Sequence, residues 1–306
     1  MLNLSRYQNW SKAKLMRYAR DKHNVNSLFG RISANPKIDK NAKLNVLTIP
    51  LHLAPAKLSG FNVCASATAG CIEACLHSAG NPAYMAQKEK SRIARTMLYF
   101  ADRALFIEIA RRELQALARR ADKLGMRPAF RPNATSDIKF EFVRYHTGDN
   151  KARTLFSEFP QLQAYDYTKH SNRRELPANY HLTFSLAENN HMQAIEAFNN
   201  GLNIAVVFDT KRGQALPEQF TIDAGKAGKI SARVVDGDAH DYRPVDGAGV
   251  VVGLRAKGAA IKDKSGFVNH TGGARHCVVN IGTAAPFEYI GGHWPANQKK
   301  AVANAR

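Results

Sequence analysis

The amino-acid sequence predicts an α/β fold, a partial or irregular βα barrel with mostly parallel strands. Strand-like and helix-like segments alternate along most of the 306 residues. The repeated order strand, helix, strand is typical of parallel strands joined by right-handed crossovers. Two strand-like runs, 204–208 and 250–254, are almost wholly apolar. Such runs are typical of parallel strands that are buried on both faces.

The predicted strands follow in chain order. A first strand is predicted within 44–53, ahead of a loop that contains three cysteines, because this run is rich in β-branched and apolar residues. Turn-like or helical stretches separate it from six further predicted strands, at 127–133, 162–168, 180–186, 202–208, 230–238 and 248–254.

The clearest helix is predicted from Ser91 to Leu124, where apolar residues recur every three to five positions, with room for one break. Gly125 is expected to end it, because glycine readily adopts the left-handed conformation that follows a helix. A second helix is predicted that begins after Asn189 or Asn190, either of them a natural N-cap, and ends before Gly201.

The chain divides into three predicted parts. These are a basic N-terminal extension, residues 1–45, an α/β barrel-like domain, residues 46–290, and a basic C-terminal tail, residues 291–306. No apolar run reaches the roughly 18–20 residues that a membrane helix needs. The basic start also lacks the apolar stretch of a secretory signal. We therefore expect a cytoplasmic protein with no membrane partner.

The charge balance favours an anionic partner. The chain has 44 Lys and Arg residues against 25 Asp and Glu residues, a formal net charge of +19. A field of that sign attracts nucleic acid or another anionic molecule. Simple solubility is the alternative explanation.

Polar side chains follow nearly every predicted strand. In a parallel barrel these positions converge at the carboxyl end, where such folds place their sites. Helix capping by Asp, Asn and Ser explains part of the pattern. From this set we take Lys169, Asp137, Asp236 and Lys257 as candidate catalytic residues.

The cysteines are placed unevenly. Cys64, Cys71 and Cys75 have the spacing C-x6-C-x3-C, and Cys277 comes about 200 residues later. Thiolates are strong ligands of zinc and of iron–sulfur clusters. One turn of helix would present Cys71 and Cys75 on one face. The run after Cys277 reads as an edge strand or a core element.

The spacing favours a cluster. Structural zinc sites commonly use cysteine pairs separated by two to four residues, unlike the six residues between Cys64 and Cys71. We therefore expect an iron–sulfur cluster of the 4Fe-4S type, with Cys277 as its fourth ligand. If Cys277 is only a core residue, one iron stays open to substrate or cofactor. Zinc, a disulfide and buried free cysteines remain the alternatives.

Several short motifs resemble a bacteriophage family known as gene product 88. They extend from about 41 to 255 and comprise NAKL, the cysteine spacing, SD at 136–137, YTK at 167–169, FSLAEN at 184–189, DGD at 236–238 and GLRAKG at 253–258. The resemblance implies a phage-encoded protein in the host-cell cytoplasm, and it supplies no activity.

The order of strand, cysteine loop, helix and repeated βα units is also similar, more distantly, to radical-SAM enzymes. Those enzymes hold a 4Fe-4S cluster with three cysteines after the first barrel strand, and S-adenosylmethionine binds the fourth iron. Their usual spacing is C-x3-C-x2-C, which differs from the spacing in this chain.

Three functions follow as hypotheses. The first is a cluster-binding protein with a redox, regulatory or nucleic-acid-associated role, which would include a redox partner. The second is a radical-SAM-like enzyme acting at the barrel mouth. The third is a zinc-stapled module that binds nucleic acid.

Overall fold

The structure is a computed structural model that describes residues 1–30, 39–75, 86–173 and 175–281. The predicted C-terminal tail, 291–306, lies outside these residues. The strands of the described part are β1 (Leu2–Asn3), β2 (Val46–Pro50), β3 (Arg127–Arg131), β4 (Tyr145–His146), β5 (Gln163–Thr168), β6 (Tyr180–Ser185), β7 (Asn203–Phe208), β8 (Gln219–Asp223), β9 (Lys229–Asp236), β10 (Val251–Arg255) and β11 (His276–Asn280).

The α-helices of the described part are α1 (Ser5–Gln8), α2 (Lys12–His23), α3 (Ala69–Glu73), α4 (Ala86–Ala101), α5 (Arg103–Lys123), α6 (Leu155–Glu158) and α7 (His191–Asn199). None of the helices in this part of the chain combines the length and the apolar character that a membrane span requires.

Nine strands form one large sheet in the order β11-β8-β9-β10-β7-β6-β5-β3-β2. Every neighbouring pair is parallel except β8 and β9, which are antiparallel. Within the described residues no ladder joins β2 to β11, so the sheet does not close. The prediction of an α/β fold with mostly parallel strands in a partial or irregular barrel is confirmed.

The two faces of the sheet differ in what covers them. On one face, β2 and β3 pack Leu47 and Phe130 against α4 and α5, in the largest hydrophobic cluster. The other face, which we call the inner face, carries Tyr165 and its neighbours on the adjoining strands. Residues 243–245 cover part of the inner face, in contact with β5 and β6.

All seven predicted strands are present, and the long predicted helix is broken once. The break falls at Asp102, whose side chain accepts a hydrogen bond from Leu105 N at 2.9 Å and so caps α5. Gly125 follows α5 with φ of +61°, as expected of a glycine after a helix. Strand β8 was not predicted. Its alternating residues Phe220 and Ile222 are buried between β9 and the edge strand β11.

The N-terminal residues fold onto the body of the protein. Leu4 and Leu15 are fully buried, and β1 pairs with β4. The Tyr7 hydroxyl donates a hydrogen bond to Asp102 at the junction of α4 and α5. The predicted basic N-terminal extension therefore supplies part of the hydrophobic core.

Candidate metal centre at the carboxyl edge of the sheet

The cysteine segment follows β2 and contains one short helix. Thr68 caps α3, because its hydroxyl accepts a hydrogen bond from Cys71 N at 3.1 Å. Cys71 lies in the helix, whereas Cys75 lies just beyond the C-cap residue, Ala74. Cys71 and Cys75 therefore do not lie in one continuous turn of α3, although both lie in the C-terminal part of the cysteine segment.

A side chain from the segment that follows β6 holds α3 in place. Glu188, three residues after β6, accepts hydrogen bonds from the Thr68 hydroxyl at 2.7 Å and from Gly70 N at 2.8 Å. A Cβ atom at Gly70 would lie 2.1 Å from Ser265 Oγ. The segment thus approaches the ends of the later strands so closely that only glycine fits at position 70.

Cys64 is a half-buried thiol near the two other loop cysteines. Its Sγ accepts a hydrogen bond from Ala56 N at 3.4 Å and donates to Thr135 O at 3.8 Å. The pKa of the Cys64 thiol is raised to about 12, chiefly by burial, with a smaller contribution from the charges of Cys75, Asp137 and Cys71 and against the lowering effect of the Ala56 hydrogen bond. The three thiols therefore lie within electrostatic range of one another.

Asp137, one of the candidate catalytic residues, joins the ends of β3 and β5 to the cysteine segment. Its backbone N–H donates to Val63 O at 2.8 Å, directly before Cys64. Its carboxylate accepts hydrogen bonds from the Thr168 hydroxyl at 2.9 Å and from Lys169 N at 2.8 Å. The Asp137 carboxylate is therefore occupied by groups that position the site.

Lys169, the second candidate, lies at the end of β5. Its Nζ donates to Ser185 Oγ at 2.8 Å and stands 5.5 Å from the centre of the Phe267 ring. The next residue, His170, shares a hydrogen bond of 3.1 Å with Ser66 Oγ of the cysteine segment. Burial lowers the pKa of His170, so its imidazole is neutral at physiological pH.

The other two candidates, Asp236 and Lys257, lie at the ends of β9 and β10 and are ion-paired. Asp236 bonds Arg255 Nη1 at 3.0 Å, and Lys257 Nζ lies 2.6 Å from Asp238. The DGD and GLRAKG motifs are therefore complementary halves of one set of ion pairs. The charges of Arg255 and Lys257 are therefore paired with the carboxylates of Asp236 and Asp238.

Cys277 has different surroundings from the loop cysteines. It lies in β11, opposite Phe220 of β8, and is 7% exposed. Its Sγ donates to His270 O at 3.9 Å. Burial raises the pKa of its thiol, and Asp209 adds to that effect. Within the described residues, the hydrogen bond and the strand pairing of Cys277 involve no other cysteine.

A single metal ion needs ligands in a compact arrangement. Within residues 1–30, 39–75, 86–173 and 175–281, no group of three or more His, Cys, Asp or Glu side chains has an arrangement that holds one. Structural zinc would require thiolates about 2.3 Å from the ion, and hence about 3.8 Å from each other.

The inner face carries a polar network beside this edge. Asn41 donates to Tyr165 OH at 2.9 Å and accepts from Asp241 N at 2.9 Å. Tyr165 OH and Arg131 Nη1 both donate to Asp241, at 3.1 and 2.9 Å. Next to the network, three buried polar atoms find no partner among the described residues, Tyr167 OH, His181 Nε2 and Thr183 Oγ1.

The chain was compared with protein families, with curated proteins and with solved structures. The family model described as gene product 88 matches residues 15–271. The chain belongs to the gene product 88 family. No curated protein and no solved structure matches it significantly.

The gene product 88 match covers the three loop cysteines and all four candidate catalytic residues, and it ends before Cys277. It confirms the resemblance that the short motifs predicted. Two contacts explain why some of those motifs occur together. FSLAEN supplies the Glu188 that holds α3, and YTK supplies Thr168 and Lys169 at the end of β5, which bond the Asp137 carboxylate.

Some residues of this edge were not predicted as site residues. Glu188 was noted only as a polar residue after a strand, and its partner Thr68 lies 120 positions away in the chain. The unpaired inner-face atoms of Tyr167, His181 and Thr183 carried no signal beyond their place in apolar strands. Polar residues interrupting such strands were the one available indication.

Proposed function

We propose that the chain binds an iron–sulfur cluster of the 4Fe-4S type through Cys64, Cys71 and Cys75. The observation that carries this proposal is that one short segment contains all three cysteines and is fixed to the strand ends by Glu188 and Asp137. Thiolate sulfur is the donor that such clusters use. The family match also covers all three of these positions.

Without a metal, Cys64 is a neutral thiol, and a metal centre would have to displace its proton. Burial disfavours the Cys64 thiolate, and its neighbours repel it further. Bound iron supplies the positive charge that makes three adjacent thiolates stable. When bound, the cluster would supply one-electron chemistry, and Asp137 and Glu188 would hold the segment that carries its ligands.

The fourth ligand distinguishes two forms of the proposal. Cys277 makes its own contacts in β11 and lies beyond the family match. We therefore propose three protein ligands and one iron open to a small molecule, in place of the four-cysteine centre that the sequence predicts.

The test is anaerobic purification with iron, acid-labile sulfide and zinc quantified beside the visible spectrum. We expect iron with matching sulfide and a broad brown absorption. Alanine at Cys64, Cys71 or Cys75 should abolish metal retention, while Cys277→Ala should keep it. Loss of iron in Cys277→Ala would restore the four-cysteine centre. Zinc at one ion per chain without sulfide would replace the cluster by a structural zinc site.

An enzyme is the second candidate function. Three unpaired buried polar atoms on adjacent inner strands, those of Tyr167, His181 and Thr183, favour a polar substrate on the inner face. Burial and Arg243 lower the pKa of His181, so its imidazole is neutral there. Reductive cleavage of S-adenosylmethionine by the purified protein would support a radical-SAM-like reaction, and its absence would leave a redox or regulatory cluster.

The charge of +19 supports an anionic macromolecular partner, for which nucleic acid is the class we propose. Binding that depends on phosphate contacts weakens steeply as salt rises. We expect DNA or RNA affinity to fall by at least tenfold between 50 and 200 mM salt, on the order of one released counterion per contact. If the affinity does not change with salt concentration, nucleic acid is ruled out as the partner. A redox protein of the host-cell cytoplasm would then be the partner to seek.

A further inference from the structure

Helix α4 presents a row of cations beside the cysteine segment. Lys88, Arg92 and Arg95 are spaced by four and then three residues, so they share one face of the helix. Arg92 is 5% exposed, and the other two are half-buried. A buried guanidinium normally has a carboxylate partner, because an unpaired charge in the interior is strongly disfavoured.

Arg92 has no such partner within the described residues. Its Nε is buried without a hydrogen-bond acceptor, and no ion pair of the described residues includes it. Glu89 acts on it only at a distance, as does the Cys75 thiolate, and burial lowers its pKa despite both. Among the residues that the structure describes, the positive charge of Arg92 therefore has no counter-charge of its own.

Its two companions on α4 are also poorly neutralised. Arg95 Nε donates to the backbone oxygen of Ser27 at 2.8 Å. Glu113, the acid that acts on Arg95, accepts the backbone N–H groups of Leu28 and Phe29. Burial and the charge of Arg92 lower the pKa of Lys88 to about 8, so these cations repel one another.

His52, in the loop after β2, faces the same cations. Its Nδ1 is buried and unpartnered. Burial lowers the pKa of His52 to about 3, and the charges of Arg92, Arg131, Arg95 and Lys88 contribute. The imidazole is neutral and offers one donor without adding charge. Arg131 is already bound by Asp241, so the three cations of α4 are the ones that remain.

The arrangement is rigid. Ala54 N donates to Thr96 Oγ1 at 2.9 Å, and the Thr96 hydroxyl donates to Arg92 O at 2.9 Å. The loop that carries His52 is thereby fixed to the turn of α4 that carries Arg92. Guanidinium groups in a fixed position match the geometry of phosphate and carboxylate oxygens.

We propose that Arg92, with Lys88, Arg95 and His52, binds an oxyanion, the phosphate or carboxylate group of a small-molecule ligand, next to Cys75. The site requires no cluster, so it stands apart from the proposed function. Its position would place an anionic ligand beside the cysteine segment.

The experiment measures the melting temperature of the full chain in sodium phosphate, sodium acetate and sodium chloride at matched ionic strength. A ligand that binds only the folded state raises the melting temperature with its concentration. We expect phosphate or acetate to stabilise the wild type beyond chloride, and the more effective anion identifies the ligand group.

Arg92→Gln is the decisive variant, and Arg120→Gln on the exposed end of α5 is its control. We expect the apparent dissociation constant of the anion to rise at least tenfold in Arg92→Gln and to stay unchanged in Arg120→Gln. In chloride, Arg92→Gln should be as stable as the wild type or more so, because an unpaired buried charge is removed. Should Arg92→Gln fail to fold, Lys88→Gln should show a smaller rise of the same kind.

Iron content is measured in each preparation. An anion response that is absent from the wild type, or equal in the wild type and Arg92→Gln, would overturn the oxyanion site. Absence of the response together with loss of iron from Arg92→Gln would assign Arg92 to the loop thiolates instead. Binding of the anion to an iron-free protein would support the site while removing the proposed cluster.

Discussion

The cysteine segment and strand β11 place the same side chain in two kinds of setting. Cys277 lies in a regular ladder with β8, so backbone hydrogen bonds fix it whatever its thiol does. The loop cysteines lie in a segment of small residues, and that segment depends on side chains from other strands, Glu188 and Asp137. The position of the loop thiols therefore depends on side-chain contacts with other strand ends, whereas the position of Cys277 depends on backbone pairing.

The largest effect on this contrast is expected from Gly70→Ala. The added Cβ would lie 2.1 Å from Ser265 Oγ, so α3 must move away from the strand ends. Alanine is otherwise better than glycine in a helix by about 1 kcal/mol, so a loss of stability would run against helix propensity. We expect bound iron to fall by more than half, measured per chain after anaerobic reconstitution.

The matched control is the double variant Gly70→Ala with Ser265→Gly. It removes the Ser265 side chain, the nearest contact of the added Cβ, and leaves Glu188 Oε2 at 2.9 Å, so it should restore part of the iron. If the double variant loses as much iron as Gly70→Ala, the close approach at Ser265 is not what positions the cysteines.

The next effect is expected from Glu188→Gln. The amide offers only one acceptor oxygen for the Thr68 hydroxyl and Gly70 N, and the charge-assisted bonds contribute about 1.5–3 kcal/mol. We expect iron to be lost to a chelator at least tenfold faster. Glu218→Gln is the control beside β11, because Glu218 pairs with Arg275 on the surface and contributes at most about 1 kcal/mol. Equal chelation rates in both variants would remove the special role of Glu188.

The pH dependence of thiol reactivity tests how strongly burial protects Cys64. In the cluster-free protein the Cys64 pKa is raised from 9.0 to about 12, so at pH 8 it carries about 10³-fold less thiolate than an unfolded cysteine. Alkylation followed by mass spectrometry should find Cys64 unreactive at pH 8. Rapid labelling there would mean that burial does not protect it.

The same shift predicts how stability depends on pH. The folded pKa of Cys64 lies above the unfolded value, so its contribution to stability is fully present below pH 9 and is lost as pH rises toward 12. Urea unfolding of the cluster-free wild type and of Cys64→Ala should therefore differ in slope with pH only above about pH 9.

The smallest effect is expected from Cys277→Ala. The substitution removes one small buried atom from a packed strand, at a cost of about 1 kcal/mol in the free energy of unfolding. Iron content should not change. A denaturant titration with iron quantified in the same samples checks both points.

The sequence predicted the parts of the fold that depend on local pattern. The apolar runs of β7 and β10 indicated buried parallel strands, and both lie in the middle of the sheet. Strand β8 was missed because it has only five residues, in which apolar and polar side chains alternate. It also runs antiparallel to β9, unlike the other neighbouring strands. A strand of only five residues has little periodicity to detect.

The site was predictable only in part, because most of its contacts are long-range. The cysteine spacing marked the segment, but nothing near Lys257 showed that Asp238, 19 positions away, would neutralise it. The sequence gives no signal at Arg92, and its burial becomes visible only in the folded chain, where Nε has no partner among the described residues.

The antiparallel pair β8–β9 sets an order of events during folding. Its register joins Asp223 to Lys229 and Gln219 to Arg233, so the hairpin closes over a few residues of chain. The pairing of Ile204 with Val251, by contrast, must close the whole stretch between β7 and β10. Because short loops cost less entropy to close, we expect the hairpin to form first and to bring β10 and β11 into reach. The antiparallel pair would then be a local starting point for the assembly of the carboxyl-terminal half of the sheet.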